Sequence, residues 1–181
     1  MKKRFLLKRI MIGVVLLIAF IVVSCEKEND SNSKQPELQG ELTGNSICKN
    51  ELKATSTVKY ISDTLSCVEY VFDEINNKLI LKHINAGFNC CPDSLYVQTS
   101  LNGDTIIVQE YEKSALCRCN CLYDLDIELN GVEAKIYMVK FIEPYALDQQ
   151  EILFELDLAN NYEGSFCVTR KQYPWGVNDS E

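Results

Sequence analysis

The chain has 181 residues, 46% of them hydrophobic, and carries 26 Asp and Glu against 18 Lys and Arg, for a formal net charge of −8. Such an acidic chain repels phosphate backbones and anionic lipid headgroups, and beyond residue 24 it contains neither a basic run nor a phosphate-binding glycine loop. Composition therefore argues against nucleic-acid binding, and the length suits one domain behind a short leader and tether.

Residues 1–24 are predicted to be an export signal. Five basic residues open this segment, and the apolar run at 10–23 is about 21 Å long as a helix, too short to span a ~30 Å hydrocarbon core comfortably. The residues VVSC at 22–25 resemble the lipobox of bacterial lipoproteins, which implies cleavage before Cys25 and attachment of palmitate-type chains to it. Each buried CH₂ adds ~0.8 kcal/mol of membrane affinity, so we expect stable anchoring to the bilayer. The alternative is an ordinary signal peptide or signal anchor that contains a cysteine.

Residues 25–45 are polar and are predicted to form a flexible tether. Glu26, Glu28 and Asp30 resemble the acidic export tag that directs Bacteroidota lipoproteins to the outer face of the outer membrane, although linker charges explain them equally well. We therefore expect an envelope lipoprotein of the outer membrane, with surface exposure as a further hypothesis. Without residues 1–24 the remaining 157 residues hold 13 basic and 26 acidic side chains, a net charge of −13.

Residues 46–176 are predicted to form one β domain, followed by a tail at 177–181. Short apolar alternations are broken by turn signals, of which Asn102-Gly103 is the strongest for a hairpin. Strands are expected at about 68–72, 78–84, 95–101, 105–111, 121–129, 135–142, 152–156 and 166–168. A short helical turn is allowed near 145–150. The spacing favours an all-β, antiparallel two-sheet sandwich of about eight strands, with a barrel as the alternative.

Eight cysteines remain after Cys25, an even number in an exported chain, which predicts a disulfide framework. If successive strands alternate in direction, the loops at 85–93 and 112–120 meet at one pole, with Cys67 and His83 at the same end. Thiols two residues apart in an extended chain lie about 6.6 Å apart, and adjacent cysteines close only a strained ring. Pairing is therefore expected between the group at 90–91 and the group at 117–121, and the other cysteines take the remaining partners. Eight cysteines allow 105 disulfide connectivities, and the choice among them stays open. The candidates are Cys48, Cys67, Cys90, Cys91, Cys117, Cys119, Cys121 and Cys167.

A metal site is the alternative for the same residues, and on the main interpretation no cofactor is expected. Zinc or copper would take thiolates and an imidazole as ligands. Zinc sites usually space their cysteines as CxxC, and an oxidising compartment consumes free thiols. Redox chemistry is favoured less, because no CxxC opens a helix. The ligands of this alternative are Cys90, Cys91, Cys117, Cys119, Cys121 and His83.

Three motifs carry a resemblance to known proteins. NCCPD at 89–93, CRCNCLYD at 117–124 and RKQYPW at 170–175 resemble signatures of a group of small Bacteroidota lipoproteins with a predicted β domain and no assigned activity. The resemblance covers about residues 60–176. It implies the location and the fold, and it brings no catalytic residues.

Catalysis finds little support in the sequence, which has a single histidine and no nucleophile elbow. Asp124 and Asp126 fit a solvated strand face better than a glycosidase pair. Tyr173 and Trp175 fit a plug of the sandwich better than a sugar platform. The first hypothesis is a non-enzymatic binding or structural domain whose disulfide-locked tip binds a protein or a glycan. The alternative is a metal-binding or redox-active envelope protein that uses the same tip.

Overall fold

The computed structural model describes residues 38–49, 61–146 and 148–172. The predicted signal with Cys25, most of the tether, and the terminal residues Tyr173 and Trp175 lie outside the described residues. Nine strands are found in the described parts: β1 Gln39–Asn45, β2 Leu65–Asp73, β3 Lys78–Asn89, β4 Pro92–Asn102, β5 Thr105–Ala115, β6 Asn120–Asn130, β7 Ile136–Ile142, β8 Leu153–Asp157 and β9 Glu163–Thr169. Within these same ranges, no helix has the length and apolarity needed to cross a bilayer.

The strands form two sheets packed face to face. Sheet A has the order β1-β6-β3-β2-β9 and sheet B the order β4-β5-β7-β8. Neither sheet closes on itself, so the predicted sandwich is confirmed over the barrel. All neighbours are antiparallel except β5 and β7, which are parallel because the strand between them in sequence, β6, belongs to the other sheet.

Every strand runs opposite to the strand before it, as the pairing of each sheet shows. The turns at Asn77, Gly103 and Gly131 therefore lie at one pole, which we call the base. All three have positive φ angles, 51°, 58° and 81°, and the turns at Asn77 and Gly103 are tight hairpin turns. The ends of β3 and β5 and the starts of β4 and β6 lie at the other pole. We call this pole the tip, formed by residues 88–93 and 113–121.

The core forms between the sheets from alternate residues of the long strands, as the sequence pattern predicts. On β6, one face is buried and the other carries partly exposed acids. On β7, the residues in phase with Tyr137 are buried and Ile136 is exposed. The buried set on these two strands includes Tyr123, Leu125, Ile127, Leu129, Tyr137, Val139 and Phe141.

The strand β1 was missed by the sequence analysis, which placed residues 39–45 in the tether; that part of the assignment was wrong. The segment QGELTGN contains two glycines and only one apolar side chain, so it shows no alternation. Gly40 explains why it is nevertheless a strand. A Cβ at Gly40 would lie 2.4 Å from side-chain atoms of both Leu129 and Thr99, so only glycine lets β1 close the gap between the sheet edges.

The strand β3 is longer than predicted and leaves almost no loop before β4. Asn85 has a φ of 65° and the pairing with β6 shifts between Ile84 and Ala86, which marks a β-bulge. Beyond the bulge the pairing resumes as far as Asn89. The described part of 145–150 contains turns and no helix.

Candidate functional site

Two loops that lie far apart in the sequence are tied together at the tip by disulfides. Cys90 pairs with Cys119 and Cys91 with Cys117, each with a Cα separation of 5.5 Å. Cys121 pairs with Cys48, at a Cα separation of 5.7 Å. The predicted pairing between the two cysteine groups is therefore confirmed.

The CC and CxC spacings follow from how the chain passes between the sheets. Cys90 directly follows β3, and its backbone N–H donates to the carbonyl of Cys119 at 3.0 Å, which continues the ladder of sheet A. Cys91 and Cys117 flank the register pair Pro92 and Ala115, and so continue sheet B. Each connection between the sheets, from β3 to β4 and from β5 to β6, thus contributes one cysteine to each sheet. The Cys90–Cys119 bond lies at the end of sheet A and the Cys91–Cys117 bond at the end of sheet B.

The fourth disulfide lies within sheet A. Cys67 on β2 is the direct register partner of Cys167 on β9, with a Cα separation of 4.0 Å. Together with the Cys48–Cys121 bond, this means that every disulfide among the described residues joins neighbouring chain segments of one sheet. None of them joins sheet A to sheet B.

Asn89 holds the two tip loops in register, and the sequence analysis did not single it out. Its side-chain oxygen accepts from the backbone N–H groups of Cys91 and Cys117 at 2.9 and 3.3 Å, and its amide donates to the Cys117 carbonyl. Its own carbonyl accepts from the Tyr123 hydroxyl at 3.1 Å. Asn89 is only 3% exposed, so these bonds replace water for a buried amide.

A second polar contact joins the tip to the segment after β7. The backbone N–H of Asn89 donates to Glu112 Oε2 at 2.7 Å, and the Tyr145 hydroxyl donates to the other oxygen of Glu112. Burial, together with the hydrogen bond to Glu112, raises the pKa of Tyr145 to about 12. Each oxygen of the Glu112 carboxylate therefore accepts one hydrogen bond, and the residue connects Asn89 at the tip to Tyr145 after β7.

The surface of the tip combines an apolar residue with positive charge. Leu116 is 70% exposed, and Arg118, between two bonded cysteines, is exposed as well. Lys113 forms an ion pair with Asp93 at 3.1 Å, with both side chains largely exposed. Residues 113–121 contain two cations, no acid and no aromatic residue. This composition contrasts with the acidic chain as a whole.

His83 does not lie at the tip, contrary to the expectation that it shares a pole with the cysteines. Its ring is fully buried between the sheets, against Phe141 at a centroid distance of 5.1 Å. The phase of the strand explains this, because His83 alternates with Leu79 and Leu81, which face the core. The residues of the metal alternative are thus divided: its five cysteines are oxidised in disulfides, and its histidine contacts other groups.

These other groups form a buried polar cluster, defined here as Ser66, His83, Glu110, Glu143 and Arg170. His83 Nδ1 lies 2.6 Å from Glu110 Oε1, and Nε2 lies 2.8 Å from Ser66 Oγ. Arg170 forms an ion pair with Glu143 and donates to the Gln150 carbonyl at 2.9 Å. No member is more than 9% exposed.

The cluster connects the two sheets. Ser66, His83 and Arg170 belong to strands of sheet A or follow one directly, whereas Glu110 lies on β5 of sheet B and Glu143 follows β7. The sequence analysis missed the two glutamates. A signal was present, because Glu110 is in phase with Ile106 and Val108 and so falls on the inward face of β5. An acid in the apolar phase of a strand indicates a buried partner.

The order Ser66–His83–Glu110 matches the hydrogen-bond order of a serine hydrolase triad. Ser66 and His83 are both 0% exposed, so no substrate can reach the hydroxyl in this structure. Burial alone would lower the pKa of His83, but the charge and hydrogen bond of Glu110 and the charge of Glu143 outweigh burial and raise it. The burial argues against hydrolysis, and the hydrogen bond between His83 and Glu110 joins the two sheets instead.

No protein-family model, no curated protein and no solved structure matches the chain.

Proposed function

We propose that the chain is a non-enzymatic envelope lipoprotein, anchored in the outer membrane through lipid on Cys25, whose tip binds a protein partner. The observation that carries the proposal is the concentration of three of the four disulfides in the tip. A domain of this size can form a core without such bonds. Bonds that fix exposed loops instead lower the conformational entropy lost when those loops bind a partner.

The chemistry of the tip favours a protein as that partner. Arginine beside exposed apolar surface is typical of protein interfaces, and Arg118 lies two residues from the exposed Leu116. A sugar site would need aromatic rings, and residues 113–121 contain none. Residues 113–121 carry two positive charges, one of them paired with Asp93, whereas residues 25–181 have a net charge of −13, and this contrast favours a partner with an acidic surface.

The direction of β1 places its first residue at the base. β1 runs antiparallel to β6, and β6 starts at the tip, so Gln39 lies at the base. The chain before Gln39, which leads back to Cys25, therefore joins the domain at the base.

The anchor is tested by metabolic labelling with an alkyne fatty acid in the native host. We expect label on the wild-type protein in the membrane fraction, and neither label nor membrane retention for Cys25→Ala. Label on the Cys25→Ala variant would contradict the proposed anchor.

The binding role is tested by a photo-crosslinking amino acid placed at position 116 in living cells. Position 75 at the base is the matched control, because Ile75 is 92% exposed and equally apolar. We expect one protein adduct from position 116 that disappears on Arg118→Glu, and no such adduct from position 75. Equal adducts from both positions, or a tip that binds a glycan array and no protein, would contradict the proposal.

A further inference from the structure

The buried cluster contains two carboxylate oxygens without a hydrogen-bond partner among the described residues. These are Glu110 Oε2 and Glu143 Oε1, in side chains that are 0% and 2% exposed. A buried polar atom without a partner costs about 1–3 kcal/mol, and more when it is charged. Two such oxygens in one cluster indicate that it receives a further positively polarised group.

The charge of the cluster leads to the same conclusion. Two glutamates and Arg170 leave one uncompensated negative charge if His83 is neutral. Water cannot screen this charge, because every member of the cluster is buried. The positive charge that offsets it comes from a proton on His83 or on Glu110, whose pKa burial raises, or from a divalent metal ion, which leaves the cluster with one net positive charge.

The distances suit a metal ion. One ligand atom from each of His83, Glu110 and Glu143 lies within 4.8 Å of the other two. His83 Nε2 and Glu143 Oε1 are 3.7 Å apart, close to the roughly 3.4 Å that separates two tetrahedral ligands at bond lengths near 2.1 Å. Ser66 Oγ lies 2.8 Å from the same nitrogen, in a hydrogen bond that a metal ion on Nε2 would replace.

We propose that His83, Glu110 and Glu143 bind one divalent transition-metal ion of the zinc class in the interior of the sandwich. An imidazole with carboxylates is a ligand set that such ions accept. The ion would join sheet A to sheet B, a connection that none of the described disulfides makes. Because the site is closed, the metal binds as the two sheets come together during folding.

The test uses the full-length chain in detergent. The protein is unfolded in guanidinium chloride without reductant, so that its disulfides survive, stripped with EDTA and refolded with or without zinc chloride. After desalting, elemental analysis should find one zinc per chain, and the zinc-refolded protein should melt at a higher temperature than the protein refolded in EDTA.

The matched variants are Glu143→Gln, which removes a proposed ligand, and Glu128→Gln, which removes a surface carboxylate paired with Lys78 at 2.6 Å. Glu143→Gln should weaken zinc binding more than about tenfold, since even the loss of an outer-shell partner weakens it 10–100-fold. Glu128→Gln should retain it. Zinc that is not retained by the wild type, or is retained equally by both variants, would overturn the proposal.

Cobalt decides the question even if Glu143→Gln fails to fold. The wild-type chain refolded with Co²⁺ should show visible d–d absorption without the intense near-ultraviolet band that a thiolate ligand adds. A thiolate band would place the metal on cysteines, and the absence of any bound cobalt would show that the cluster holds no metal ion. Either result would overturn the proposal.

Discussion

The two tip disulfides that join the loops, Cys90–Cys119 and Cys91–Cys117, should stabilise the fold in a non-additive way, because one loop lies inside the other. Their sequence separations are 29 and 26 residues. When one bond is removed, the other still closes nearly the same loop in the unfolded chain. The bond that is removed had closed only the few extra residues between the two nested bonds. Its loss should therefore lower the free energy of unfolding by roughly 2 kcal/mol.

Removal of both bonds opens this loop, while Cys48–Cys121 still closes the larger loop around it. A loop of this length contributes about 3.6 kcal/mol, so the quadruple variant should lose roughly 5–6 kcal/mol where the two pairwise variants together lose about 4. The variants are Cys90→Ser with Cys119→Ser, Cys91→Ser with Cys117→Ser, and all four together, which leave no free thiol at the tip.

Urea unfolding under non-oxidising, non-reducing conditions gives the three free-energy changes, and a double-mutant cycle gives the coupling. We expect a coupling of about 1.5 kcal/mol, in the direction that the second removal costs more than the first. Additive losses would refute the reasoning, because they would mean that the two bonds do not close one common loop.

Three further predictions concern single residues. Gly40→Ala should destabilise the domain by about 1–3 kcal/mol in thermal or urea unfolding, because the added Cβ would lie 2.4 Å from neighbouring side-chain atoms. Gly44→Ala should be nearly neutral, because the nearest atom to its Cβ is 3.5 Å away. Equal effects of the two substitutions would contradict the close approach of β1. Asn89→Ala should cost about 2–4 kcal/mol and speed hydrogen exchange at the tip; normal exchange there would contradict its role. Tyr145→Phe should lower the free energy of unfolding, measured in urea, by about 1.5–3 kcal/mol, which is the value of a hydrogen bond to a charged group. An unchanged free energy of unfolding would contradict a stabilising bond between Tyr145 and Glu112.

The sandwich was predictable because its long strands obey a simple period. On β6 the apolar and acidic residues alternate without exception from Tyr123 to Leu129, and one buried face follows from that pattern. The strict alternation of strand direction then brought the two cysteine groups to one pole. The confirmed disulfides, Cys90 with Cys119 and Cys91 with Cys117, follow from this topology.

The missed features depend on contacts between distant segments. β1 has no apolar period, and its place is set by the fit of Gly40 against Thr99 and Leu129. The bulge at Asn85 depends on its left-handed backbone, which extends β3 beyond the predicted end. Such features require coordinates, because local propensity does not encode the partner segment.

The buried cluster was missed for a different reason. The sequence analysis read His83 together with the cysteines because both occur in one stretch of the chain. Strand phase places it instead with Leu81 toward the core, where Glu110 reaches it from the other sheet. Glu110 could have been predicted as its partner, because this acid lies in the apolar phase of β5.

The locked tip is tested most directly by a disulfide map of the mature protein under non-reducing conditions. Trypsin cleaves after Arg118 and so separates Cys117 from Cys119, and stepwise reduction with alkylation distinguishes Cys90 from Cys91. We predict no free thiol among these four cysteines, with Cys90 bonded to Cys119 and Cys91 to Cys117. Free thiols at the tip, or a bond between Cys117 and Cys119, would contradict the account.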